Sequence, residues 1–335
     1  MTHSQESKFH NNRGSVLIMQ GRLDAARHEL ESAIQEDPHN FSALTNLGYV
    51  LSREGKLDEA ILIYHKAIGI NPTYAVAHNN LGLAYGEKGM LDKARQAYEE
   101  AIQCDPRYAV AYLNLAQLYH IQEELTEAEE SYQKYLNLKP NDIQALYNMG
   151  VISLKRGMVE RAASYFWQVR RLDRNHADAA INLAAILLRR QQYDQAIAMF
   201  LEVIDKNPGN LLARYHLALA YLGKGDLRQA ASELEYILSQ NPNSLQAANN
   251  LALIYRELGQ GEKALHLLIS FLEKHPTNTM LHYNLGLVYQ GMGRLQEASI
   301  HFNRVIELES DESRRKQLAL EALQKMSADN PQIHG

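Results

Sequence analysis

Three sets of residues in this chain have the types and spacing to do chemistry: clustered glycines, recurring histidines and recurring asparagines. The stretch NNLGLAYGEKG, residues 79–89, sets Gly82, Gly86 and Gly89 in a Gly-x-x-x-Gly-x-x-Gly pattern. Backbone amides free of side chains can cradle a phosphate, but a nucleotide loop also needs a preceding strand and a Gly-Lys-Ser/Thr sequence. Neither is present, and comparable runs recur at residues 249–261 and 283–293. A phosphate site is built once, so these glycines read as helix punctuation.

The fourteen histidines are scattered. His10, His78 and His282 share a register but lie too far apart to share a metal, and they read as packing or surface residues. Cys104 is the only cysteine, so the chain has no intrachain disulfide and no cysteine-based zinc site. His-Glu-x-x-His and Gly-x-Ser-x-Gly are absent, as are paired carboxylates outside ordinary solvated faces. The expectation is a non-enzyme with no cofactor and no metal.

The asparagines are regular. Asn12, Asn46, Asn80, Asn114, Asn148, Asn182, Asn250 and Asn284 are spaced by 34 residues or twice that, with His216 breaking the series. Each amide carries donors and an acceptor. Stacked in a row, they suit either sequence-independent hydrogen bonding to an extended peptide backbone or ties between neighbouring elements. Both uses stay open at this stage.

Those elements follow from the period. Aligning Ala26, Ala60, Ala94 and so on to Ala298 gives a spacing of 34 throughout, so residues 7–312 divide into nine repeats without insertion. They run 7–40, 41–74, 75–108, 109–142, 143–176, 177–210, 211–244, 245–278 and 279–312. Within a repeat, apolar residues at positions 3, 7, 10 and 11, then 17, 20, 21, 24 and 28, have the spacing of two amphipathic helices. Small residues at 8 and 20 let the helices approach. Glycine at 15 ends the first helix, Asp or Glu at 18 suits the second helix's first turn, and proline at 32 stops it.

At 335 residues the chain is long for one core, while 46% apolar and 22% charged residues mark a folded composition. A net charge of −5 gives no general pull towards nucleic acid or an anionic membrane. No apolar run approaches the ~18 residues that would span a bilayer, and the first residues lack the apolar segment of a signal peptide. The default expectation is a cytoplasmic protein with no nucleic-acid partner and no membrane insertion.

The pattern Leu-Gly-x-x-Tyr, then Ala-x-x-x-Phe, then Pro within 34 residues closely resembles the tetratricopeptide repeat (TPR), over more than ninety per cent of the chain. The resemblance implies an all-α, right-handed superhelical solenoid of stacked antiparallel helix pairs, with each first helix lining the concave side. It also implies that residues 313–326 form a capping helix, covering the last repeat through Leu318, Leu320 and Leu323. Residues 1–6 and 327–335 are then expected as tails. Departures are small: Arg13 replaces Leu at an exposed end, and Arg174 and Ser310 replace proline. The asparagine row is similar to that of the peptide-binding superhelix of O-GlcNAc transferase. The carboxylate clamp of chaperone-binding relatives is absent, because position 5 is never Lys and position 6 is never Arg.

On this reading the partner is a peptide or helix held in the groove. Candidate contacts are Asn46, Asn80, Asn114, Asn148, Asn182, Asn250 and Asn284, with apolar residues surplus to the core: Leu113, Tyr147, Leu154, Tyr215 and Leu219. Val110, Val151, Ile181, Leu188, Leu222 and Leu253 extend that set. Residues 155–190 carry a net charge of +5, with Lys155 and Arg189 at the groove edge, so an acidic partner segment is expected there. The alternative is a substrate-targeting module for an enzyme such as a glycosyltransferase, whose catalytic domain lies outside this chain. Self-association through exposed ends is a third reading.

Overall fold

The computed structural model describes residues 3–329, and among them there are nineteen α-helices and no strand. The chain forms two compact bodies, meeting in sequence at Asp173 and Arg174. The first body contains α1 (His3–Met19), α2 (Leu23–Glu36), α3 (Phe41–Arg53), α4 (Leu57–Ile70) and α5 (Ala75–Glu87). It continues with α6 (Leu91–Cys104), α7 (Ala109–Ile121), α8 (Leu125–Leu138), α9 (Ile143–Lys155) and α10 (Val159–Leu172). The second body contains α11 (Ala177–Arg189), α12 (Tyr193–Lys206), α13 (Leu211–Lys224), α14 (Leu227–Gln240) and α15 (Leu245–Glu257). It ends with α16 (Gly261–Lys274), α17 (Thr279–Gly291), α18 (Leu295–Leu308) and α19 (Arg314–Asp329). Within each body, antiparallel pairs stack in sequence order, each second helix touching the first helix of the next pair.

The close approach inside a pair is specific. A Cβ built on Gly48, Gly82, Gly150 or Gly286 would stand within 2.7 Å of the ring at position 24, which is Tyr64, Tyr98, Phe166 and Phe302 in turn. Glycine therefore seats the buried ring of its own repeat against the first helix. The turn glycines also behave as expected: Gly21, Gly55, Gly89, Gly157, Gly225, Gly259 and Gly293 all have φ between 73° and 88°. Where the sequence has no glycine at that position, Glu123 and Gln191 take the same left-handed turn at φ 61° and 60°. The period thus holds the conformation even against the side-chain preference.

Helix entry uses a position the pattern did not flag. The last residue of a repeat caps the next first helix: Asn40 accepts from the Ala43 amide, Asp142 from Ala145, Asn210 from Ala213 and Asn278 from Leu281. The second helices have no side-chain cap, and all but α14 carry an acid in the first turn, as α4 does with Asp58 and Glu59.

Both ends need correction. Helix α1 begins at His3, inside the stretch expected as a tail, because no glycine or proline breaks residues 3–6 and Glu6 suits a helix's first turn. Helix α19 runs to Asp329, inside the expected C-terminal tail, while residues 330–335 lie outside the described residues. Its packing stripe is the buried Ala319 and Met326 with the half-buried Ala322 and Leu323, in helical register against Phe302 and Val305. Leu320, expected to cover the last repeat, points elsewhere and is 42% exposed.

Candidate functional site

The residues singled out by sequence lie on the first helices, and each body carries its own set. In the first body these are α1, α3, α5, α7 and α9; in the second, α11, α13, α15 and α17. Their core positions are filled. Ala43, Ala77, Ala111 and Ala145 at position 3, and Leu47, Leu81, Leu115 and Met149 at position 7, are all buried.

Much of the asparagine row makes bonds between repeats. Asn46 Nδ2 donates to Asn11 Oδ1 at 2.8 Å and to Ser15 Oγ at 3.0 Å. Asn114 Nδ2 donates to Asn79 Oδ1 at 2.8 Å, and Asn284 Nδ2 to Asn249 Oδ1 at 2.7 Å. Asn250 Nδ2 donates to the Tyr215 hydroxyl at 3.0 Å. In all four the acceptor lies on the first helix of the preceding repeat, at position 5 in every case and at position 9 for Ser15. Asn80 instead accepts from Asn79 Nδ2, and Asn148 donates to the Tyr132 hydroxyl of the preceding repeat's second helix. Asn182 is half-buried on α11. His216, the exception, stacks on Phe200 with the rings 5.8 Å and 12° apart, and burial, with Arg189 nearby, pushes its pKa down. At Asn46, Asn114, Asn148, Asn250 and Asn284 the geometry shows a tie to the preceding repeat.

The apolar residues divide by exposure. On α7, Val110 and Ile121 are 45% and 77% exposed, with Leu113 half-buried between them. On α9, Tyr147, Val151 and Leu154 are half-buried, and the Tyr147 ring lies 5.7 Å from Phe166. On α13, Leu212, Tyr215, Leu219 and Leu222 follow one another three, four and three residues apart. That spacing puts them on one face, where Leu212 is 56% and Leu222 38% exposed. On α11, Ile181 is buried and Leu188 half-buried, and Leu253 on α15 is half-buried.

The basic stretch is partly neutralised from outside itself. Lys155 pairs with Glu123 at 3.5 Å, Arg156 and Arg161 both pair with Glu129, and Arg174 lies 3.4 Å from Glu202. A charge count over residues 155–190 misses these acids, since Glu123 comes from the turn after α7 and Glu129 and Glu202 from α8 and α12. Arg189 remains exposed near His216.

Sequence reading missed a polar tether on the opposite side of the first helix. His78 Nε2 shares a hydrogen bond with the Pro72 carbonyl at 2.8 Å, as does His282 Nε2 with Pro276 at 3.1 Å. Arg214 Nε donates to the Pro208 carbonyl at 2.8 Å. Each residue also meets a polar group on its own second helix: Glu100, His301 and Glu233 in turn. The shared register of His78 and His282 therefore serves the junction between repeats. Cys104 Sγ also lies 3.4 Å from the Pro72 carbonyl, and burial raises its thiol pKa.

Among the described residues no group of three His, Cys, Asp or Glu converges to hold a metal, and no helix is long and apolar enough to cross a membrane.

Comparison with known proteins gives a consistent picture. The model of the cilia and flagella-associated protein 70 middle TPR-like domain matches residues 112–308. Three tetratricopeptide-repeat models match residues 29–61, 50–89 and 75–108. Among solved structures, the C-terminal part of a TPR repeat-containing protein from Cytophaga hutchinsonii is 17% identical, with TM-score 0.60, covering 71% of this chain and 97% of that one. Pseudomonas aeruginosa pilF is 23% identical, with TM-score 0.51, covering 62% of this chain and 94% of its own. YrrB, described as a TPR protein with an unusual peptide-binding site, is 26% identical, with TM-score 0.49 and coverage of 55% and 95%. No curated protein matches the chain.

Proposed function

The chain belongs to the tetratricopeptide-repeat family, in the group of the cilia and flagella-associated protein 70 middle TPR-like domain, and from that premise we propose that it is a non-catalytic scaffold for a partner polypeptide. The ligand is an amphipathic helix laid along the first-helix face of the second body. The observation that carries this reading is the stripe Leu212, Tyr215, Leu219 and Leu222 on α13, whose two ends stand open to solvent. A helix with apolar residues three and four apart is the shape such a stripe accepts. An extended peptide is less suited, because the amides of Asn46, Asn114, Asn148, Asn250 and Asn284, which would pair with its backbone, already donate to the preceding repeat. An acidic residue on the ligand would meet Arg189 on α11. The face of α7 and α9, with Val110, Leu113, Tyr147, Leu154 and Lys155, is a second contact of the same kind.

The test is site-specific crosslinking. Helical peptides selected from a display library against the full chain are added to variants carrying a photo-crosslinker at Leu219 or at Leu201. Leu201 is an exposed leucine on the second helix α12. Adducts at Leu219 and none at Leu201 support the assignment; the reverse pattern, or no selected peptide, overturns it.

A further inference from the structure

A cavity of about 650 Å³ lies between α2, α3 and α4, well away in register from the first-helix stripes. Its walls are Ile34, Leu44, Leu47, Ile63 and Ile70, with Pro38 among the lining residues. Gln35, His39, Glu31 and Lys66 also line it, and the last two cancel in charge. That size and lining are in the usual range for a small-molecule site.

The repeat register explains why the space is empty. Leu44 stands where His78, Arg214 and His282 stand in their repeats, and Pro38 where Pro72, Pro208 and Pro276 stand. In those three junctions the side chain reaches across and bonds the proline carbonyl. Leucine cannot make that bond. Its partner position on the second helix has changed with it, from Glu233 beside Arg214 to Ile63 beside Leu44. Between the third and fourth repeats, where Tyr112 occupies that position, the corresponding cavity is about 300 Å³; Leu146 after Pro140 repeats the Leu44–Pro38 combination, but with Tyr165 in place of Ile63 at the facing position.

We propose that this cavity binds a small organic molecule with an apolar, aromatic-sized body and a neutral N–H donor, the donor bonding the Pro38 carbonyl. The chain's own His78 and His282 show what that junction accepts: a planar N–H group on an apolar stem. The balanced Glu31 and Lys66 give no preference for a net charge on the ligand. The site is independent of the polypeptide-binding faces, and its test leaves those untouched.

The probe is 4-phenylimidazole, titrated into the full chain by calorimetry, with 1-methyl-4-phenylimidazole as the comparator that lacks the N–H. The blocking variant is Leu44→Arg with Ile63→Glu, which rebuilds the Arg214–Glu233 pair seen in the seventh repeat and should fold for the same reason. Circular dichroism and melting check that it does. The wild-type chain should bind 4-phenylimidazole, about two- to tenfold more tightly than the methylated analogue. The folded double variant should not bind it. Equal affinity in the folded double variant, or no binding by the wild type, overturns the proposal; equal affinity for the two imidazoles overturns the assignment to the Pro38 carbonyl. Should the double variant fail to fold, Ile63→Trp alone fills the cavity with an apolar side chain and is read in the same way.

Discussion

Asn114 Nδ2 donates to Asn79 Oδ1 at 2.8 Å, joining the first helices of two consecutive repeats through side chains at positions 6 and 5. Asn79 is only 2% exposed. Its carbonyl is therefore out of water and depends on that donor. Replacing Asn114 with Ala should lower stability by about 1–3 kcal/mol, the cost of an unsatisfied buried acceptor. Asn79→Leu with Asn114→Ala should cost less than the two single changes together, because the orphaned group is removed with its partner. Urea unfolding of the three variants checks this; strict additivity would show that the pair is not coupled.

This pair also marks where sequence reading reached its limit. The period placed every asparagine on a first helix, and a register of 34 residues is enough to show that they line up. It does not show that the row is offset by one residue, so that position 6 of one repeat faces position 5 of the repeat before. That offset comes from how successive helices pack. The same holds for Leu44: its register was plain, but only the packed junction shows that His78, Arg214 and His282 are its counterparts. By contrast, Gly21 and its six equivalents needed nothing beyond local backbone sterics, and the left-handed turns were legible in full.

Helix contact within a repeat gives a second test. A methyl group on Gly82 would lie 2.6 Å from Tyr98 Cε1 and 3.1 Å from the Ala94 carbonyl. Gly82→Ala should destabilise by about 1–3 kcal/mol through overpacking. Adding Tyr98→Leu should recover part of the loss, as in the repeats that pair Ala218 with Leu234 and Ala252 with Leu268; Ala116 and Ala184 stand beside the rings of Tyr132 and Phe200, so the recovery measures how closely Tyr98 itself is held against Gly82. Melting temperatures of the single and double variants separate clash from a general effect of glycine.

The C-terminal helix offers a contrast between two of its residues. Met326 is 2% exposed and packs with Phe302 and Val305, whereas Leu320 is 42% exposed. Met326→Asp should lower the melting temperature and promote aggregation. Leu320→Asp should stay within about 0.5 kcal/mol of the parent. Equal effects would show that α19 does not seal the last repeat through this stripe.

Acid should weaken the last repeat. His282 Nδ1 lies 3.0 Å from His301 Nδ1, the His301 ring stacks on Tyr289, and Arg294 lies over the other ring of that stack. Burial, together with His282, lowers the His301 pKa to about 4. A base whose folded pKa is depressed contributes its stability above the unfolded value of about 6.5. That contribution is lost as pH falls from there towards about 4, where the folded form also takes up the proton. His301→Glu should reverse the sign, giving His282 a carboxylate partner like the Glu29 that sits 2.8 Å from His10. The melting temperature of the wild type should therefore fall relative to the variant between pH 7.5 and pH 5; a constant difference would remove the histidine pair as the cause.

The most direct measurement of the central claim is the affinity of one selected helical peptide for the full chain and for Leu212→Ser with Leu219→Ser. Burying each leucine against a ligand is worth about 1.5–3 kcal/mol. Affinity should weaken at least tenfold, with the melting temperature little changed, because Leu212 is 56% exposed and Leu219 half-buried in the free chain. Unchanged affinity in a folded double variant would contradict it.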